Sequence, residues 1–111
     1  MGFRMTTPTR AALRVLLMDP TRRWSAAEIC ERAELARGSI HALLARLEAQ
    51  GLLGSELEDI DESAEGRRAR RLYWFTPGGA QDAAVLLAEY DARLGRRRHA
   101  APSTSPALET P

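Results

Sequence analysis

Apolar residues recur along this chain with two different periods, and the change from one to the other falls at Gly51. Before it, the spacing is helical. Leu13, Leu16 and Leu17 mark the inner face of a first helix, with Arg10 and Arg14 on another face. Thr7 is placed to cap it. Pro8 suits the first helical position, where the amide hydrogen it lacks would go unpaired anyway. Asp19-Pro20 ends the helix, because a residue before proline avoids the helical region. Trp24 then reads as a short strand or an anchor. Ser25 and Glu28 have the spacing of a capping box, in which the serine hydroxyl takes the glutamate amide and the carboxylate reaches back. They open a short second helix that buries Ile29, Cys30 and Ala33. A turn near Ala33, Glu34 and Leu35 leads into a third helix, whose Ile40, Leu43, Leu44 and Leu47 line one face. Gly51 stands where a helix gives way to a left-handed residue.

After Gly51 the residues from Leu53 to Ile60 alternate, less cleanly than an ideal strand but better than a helix. Residues 61–66 are polar and end in glycine, which predicts a hairpin loop. Arg71, Leu72, Tyr73, Trp74 and Phe75 form the returning strand. Thr76-Pro77 repeats the start seen at Thr7-Pro8 and predicts a last helix over about residues 77–94. On it, Ala80, Ala83, Leu87, Tyr90 and Leu94 form a heptad seam. That seam either packs back on the first helix or pairs with a second copy of the chain. The second choice is preferred here, because a chain of this size has little else to cover it. The predicted fold class is mainly α with a small β-hairpin: a winged helix-turn-helix with a C-terminal dimerisation helix. Its expected parts are an N-terminal arm at 1–7, a winged helix-turn-helix domain at 8–76, the dimerisation helix at 77–95 and a disordered tail at 96–111.

Composition narrows the classes of function. At 111 residues there is room for one domain and a short appendage. No apolar run is long enough to span a bilayer, and the first residues lack the apolar core of a secretory signal. With a single cysteine, Cys30, no disulfide can close within the chain, so a reducing, cytoplasmic setting at the nucleoid is expected, without membrane contact. All 16 basic residues are arginine, and the net charge of +1 conceals their segregation. Glu56, Glu58, Asp59, Asp61, Glu62 and Glu65 come without a base between them, and Arg67, Arg68, Arg70 and Arg71 follow at once.

That arrangement suggests a surface for double-stranded DNA. Opposite the leucines of the third helix stand Arg37, Ser39, His41, Ala42 and Arg46, and in this architecture such a face enters the major groove. Arg37 can bond a guanine edge in two places, Ser39 a base or a phosphate. The helix N-terminus adds amide donors for a phosphate oxygen. Arg67, Arg68 and Arg70 sit at the hairpin, able to follow phosphates or enter the minor groove. The same arginines could instead pair with the acids of the opposite strand. The acids themselves must face away from DNA, or the wing binds it weakly. No catalytic set, metal spacing or phosphate-binding glycine loop is found, so neither an enzyme nor a cofactor is expected. His41 and His99 belong to unrelated parts of the chain. Cys30 reads as a small core residue and not as a redox sensor.

The stretch ARGSIHALLARLEAQGLL, residues 36–53, resembles the recognition helix and following strand of the PadR family of winged-helix regulators. GRRARRLYWFTPGG, residues 66–79, resembles that family's wing and the start of its last helix. His41-Ala42 replaces a tyrosine-proline pair usual in the family. The resemblance implies a homodimer whose C-terminal helices pair, through Ala83, Leu87, Tyr90 and Leu94 in this chain. It also implies a palindromic operator and repression, relieved by a small hydrophobic or aromatic effector. The alternative is a winged-helix protein-interaction module that does not bind DNA, favoured by the acidic strand, the near-zero net charge and the missing tyrosine-proline pair.

Overall fold

The computed structural model describes residues 4–100, with side chains through Arg97. The elements follow in the order α1 (Thr7–Met18), β1 (Trp24–Ser25), α2 (Ala26–Ala33), α3 (Arg37–Ala49), β2 (Leu53–Leu57), α4 (Glu62–Glu65), β3 (Arg71–Phe75) and α5 (Gly79–Ala100). Of the expected order only α4 is new: a single turn inside the hairpin loop, capped by Asp61, whose carboxylate accepts the amides of Ser63 and Ala64. The arm and tail expected at the two ends lie partly outside the described residues, at 1–3 and 101–111.

Helix α1 starts one residue earlier than the proline suggested. Thr6, not Thr7, is its cap: the Thr6 hydroxyl accepts the Thr9 amide at 3.3 Å, and Pro8 falls in the second helical position. The paired hydroxyls of Thr6 and Thr9, 2.9 Å apart, settle the choice. The capping box on α2 is present in both directions, with Ser25 and Glu28 bonded at 2.9 and 3.2 Å. Partial burial pushes the Glu28 carboxyl up, but the Ser25 amide and the charge of Arg22 outweigh it and hold the carboxyl below its ordinary range.

The turn from α2 to α3 is made by Glu34, which sits in the left-handed region at φ 57° and closes the helix on the Cys30 carbonyl. A side chain there is strained relative to glycine. The end of α3 is a Schellman closure. Gly51, at φ +81°, donates to Glu48 at 2.9 Å, and Leu52 donates to Leu47 at 3.1 Å.

Leu13 and Leu16 of α1, Ile29 and Cys30 of α2, and Ile40, Leu43, Leu44 and Leu47 of α3 are all buried in one core. Every one of these had been placed inward by its spacing; Leu17 and Ala33, placed inward too, are only half-buried. The sheet has three antiparallel strands in the order β1-β3-β2. Trp24 of β1 pairs with Tyr73 in its middle strand, so the anchor residue extends the hairpin.

Helix α5 differs most from expectation. Thr76 does not cap it; its hydroxyl donates to the Gly51 carbonyl at 2.7 Å, tying the end of β3 to the end of α3. The helix begins at Gly79, packed so closely on the Leu52 carbonyl that a Cβ would collide with that backbone oxygen. It then continues through Gly95 to Ala100, so the first five residues assigned to a disordered tail are helical. Ala83 and Leu87 lie in the chain's own core, the packing that the intramolecular alternative described. Asp91 clamps the pair of helices, accepting from Arg10 and Arg14 at 2.7 Å each. The Arg10 hydrogen bond holds its carboxyl below the usual range. Ala80, Tyr90 and Leu94, the other three seam residues, are half-buried.

Candidate nucleic-acid interface

Helix α3 turns its leucine stripe into the core and leaves Arg37, Ser39, His41, Ala42 and Arg46 exposed. This follows from its period: positions three and four apart share a face, and the residues between them must point outward. The guanidinium groups of Arg37 and Arg46 make no hydrogen bond or ion pair among the described residues. The Ser39 hydroxyl makes one long local bond, 3.4 Å to the Ala36 carbonyl. No side chain caps α3, because Ala36 stands in the cap position, so amides of its first turn face outward unbonded by a side chain.

The wing is less uniform. Along β2 and β3 alternate residues face opposite ways. Leu53 and Tyr73 point into the core, and Ser55, opposite Tyr73, and Arg71, opposite Leu57, share that side. Arg71 donates to the Ser55 hydroxyl at 3.1 Å, which in turn bonds Glu48 of α3 at 2.9 Å. The other face carries Gly54, Glu56, Leu72 and Trp74. There Arg23 lies 4.0 Å above the Trp74 ring and 3.5 Å from Glu56. Gly54 leaves room for the ring here, since a Cβ would come 3.0 Å from the indole, a tight contact. Glu56 is therefore turned away from α3.

Of the three wing arginines predicted to bind, the structure separates one from the others. Arg67 is half-buried and engaged in a two-pronged bond to Glu58 at 2.7 and 3.3 Å. Arg68 and Arg70 are exposed, and neither guanidinium has a hydrogen bond or ion pair among the described residues. The cross-strand pairing weighed against DNA contact thus holds for Arg67.

Between these two parts runs a groove of about 280 Å³. Arg37 and His41 of α3 form one wall, Arg70 and Arg71 of the wing the other, and Cys30 and Ile40 lie along its floor. Of the residues assigned to DNA, Arg37, His41 and Arg70 line this groove together; Arg46 and Arg68 lie outside it. Arg71 had been counted in the wing's basic run but not among the residues assigned to bind. Its signal was its parity with Tyr73, which puts both on the inner face. Glu58 was read only as one acid in a run, and no pattern of spacing could have picked it out. Cys30 is 4% exposed and 4.0 Å from the Ala36 carbonyl. Among the described residues no three His, Cys, Asp or Glu side chains converge, and no helix is long and apolar enough to cross a membrane.

Residues 12–56, from α1 through most of β2, match the IclR helix-turn-helix domain. No curated protein matches the chain. Among solved structures, the PcaV transcriptional regulator from Streptomyces coelicolor, in complex with its natural ligand, is 22% identical, with a TM-score of 0.61 over 93% of this chain and 64% of that one. This chain thus spans less than two thirds of that regulator's length. A transcriptional regulator homologue from Pyrococcus horikoshii OT3 is 21% identical, with a TM-score of 0.60 over 79% of this chain and 81% of its own. A putative DNA-binding protein from Ralstonia eutropha JMP134 is 28% identical, with a TM-score of 0.56 over 75% of this chain and 98% of its own. The chain has a winged helix-turn-helix fold, the one read from its hydrophobic pattern and shared with these proteins, and its residues 12–56 are similar to the IclR helix-turn-helix domain.

Proposed function

We propose that this protein is a sequence-specific, DNA-binding transcriptional regulator. The observation that carries the reading is the exposed face of α3: Arg37, Ser39, His41, Ala42 and Arg46 stand in one place, with two unpaired guanidinium groups and an uncapped helix start. Arg70 faces the same side across the groove. Such a face suits base edges, and the wing suits phosphates. Binding of the purified chain to its own upstream DNA tests this in a mobility-shift assay at several salt concentrations. Affinity that falls with salt and exceeds that for an unrelated duplex supports it.

The finer reading is a homodimeric repressor on a palindromic operator. With Ala83 and Leu87 committed to the core, pairing is assigned to what α5 leaves open: Tyr90 and Leu94, with Val85 at 50% exposure. The PadR-type assignment rests on the two segments quoted above, and none of the three structures described above carries that name. By analogy with the ligand-bound Streptomyces regulator, a small hydrophobic or aromatic effector is proposed for this chain too. A non-DNA interaction module is the second reading. It is favoured by the acids of the wing, where Glu56, Glu58 and Asp59 line one hollow with Ile60 and Leu72.

A further inference from the structure

The loop that joins β2 to β3 makes a long excursion, from residue 58 to residue 70, yet its neck is closed by one side chain. Glu58 Oε1 accepts from Arg67 Nη1 at 2.7 Å and from the Arg70 amide at 2.9 Å, while Oε2 accepts from Arg67 Nη2 at 3.3 Å. The Glu58 amide donates in return to the Arg70 carbonyl at 2.8 Å. Arg67, held in this way, donates to the Arg68 carbonyl at 3.1 Å. Glu62 completes the ring by accepting the Ala69 amide at 2.6 Å. Four backbone groups are thereby fixed: the Arg68 carbonyl by Arg67, the Ala69 amide by Glu62, and the Arg70 amide and carbonyl by the carboxylate and the amide of Glu58. The two side chains left over, those of Arg68 and Arg70, point to solvent, and Arg70 lines the groove beside α3.

We infer that Glu58 is a positioning residue for DNA binding: it locks Arg67 as a structural strut and thereby aims Arg70 at the phosphate backbone beside α3. This rests on the DNA-binding reading above and adds to it a role for an acid, which simple charge counting would assign to repulsion. A carboxylate 18% exposed and bonded to three donor groups presents little free charge to a phosphate. What it contributes is order. A wing loop without it must freeze its own backbone on binding, and that ordering cost weakens association.

The two views predict opposite signs. If Glu58 only repels DNA, Glu58→Gln strengthens binding, as does Asp59→Asn, which removes an exposed neighbouring charge with no hydrogen bond of its own. If Glu58 positions Arg70, Glu58→Gln weakens binding by about tenfold while Asp59→Asn does not weaken it. Glu58→Asp keeps the charge but shortens the reach, and gives an intermediate loss where pure repulsion predicts none. The readout is fluorescence anisotropy of the full chain on its own upstream duplex, with circular dichroism confirming the fold of each variant. Arg70→Ala is then combined with Glu58→Gln. A positioning role makes the second loss small once the first is present, whereas a merely structural role leaves the two losses additive. Glu58→Gln binding as tightly as the parent, or additivity with Arg70→Ala, overturns the inference alone. Failure of the parent chain to bind any duplex overturns the DNA-binding reading as well.

Discussion

Helix α3 and the wing each bring arginines to one surface, and they make them available in different ways. On α3 the backbone period alone decides: Arg37 and Arg46 fall opposite the leucines and their guanidinium groups pair with nothing among the described residues. In the wing, four arginines crowd into five positions beside six acids, and the fold sorts them by partner. Arg67 goes to Glu58 and Arg71 to Ser55, leaving Arg68 and Arg70. A basic cluster thus overstates the charge offered to a ligand, since part of it neutralises the loop that carries it.

The largest effect expected from this contrast is at Arg37. Arg37→Ala should weaken binding to the specific duplex by about 1–3 kcal/mol and relax preference at one base pair, with the melting temperature unchanged. Competition assays with single-base variants of the site measure it. A uniform loss across all sequences would move Arg37 from base reading to backbone contact. Arg70→Ala is expected to behave in that second manner, lowering affinity for every duplex and reducing the salt slope by about 1.

Glu34 tests whether the turn that orients α3 can be relaxed without touching the reading face. Glu34→Gly relieves a left-handed residue and should stabilise the fold by up to about 1 kcal/mol in urea titrations, leaving DNA affinity alone. Destabilisation would mean that the Glu34 side chain matters more than its backbone.

Smallest is the response to acid, where the wing and the α1–α5 clamp should agree. Arg67's hydrogen bond lowers the Glu58 carboxyl, as Arg10's lowers Asp91. Groups depressed in this way add stability that is complete above their unfolded values, 4.5 for Glu58 and 3.8 for Asp91, and lost as pH falls through the lower folded ones. Thermal unfolding followed from pH 7 to 3 should therefore stay level in these contributions until pH reaches the ordinary carboxylate range, and decline from there downward. In Asp91→Asn the acid-induced drop should be shallower.

The core and the reading face were legible because a single period produces both. Once Ile40, Leu43, Leu44 and Leu47 are inward, Arg37 and Arg46 have no other direction. Ser25 and Glu28, and Gly51, were legible for a related reason: each acts on groups a few residues away. What the local pattern misassigned or left between two choices depends on distant partners. Thr76 has the local signature of a cap but bonds to the Gly51 carbonyl, and Ala83 fits a dimer seam but meets the buried face of α1. Gly95 would ordinarily weaken a helix, yet α5 runs through it. The division of the wing arginines needed the loop's closure, which joins Glu58 to residues nine and twelve positions away.

Amide hydrogen exchange of the chain with and without its own upstream duplex tests the central claim most directly. Slowed exchange is predicted in the first turns of α3, around residues 37–41, and in the wing at residues 68–70, with the Arg23–Trp74 face unchanged. Protection confined to that outer face, with α3 unaffected, would contradict the account.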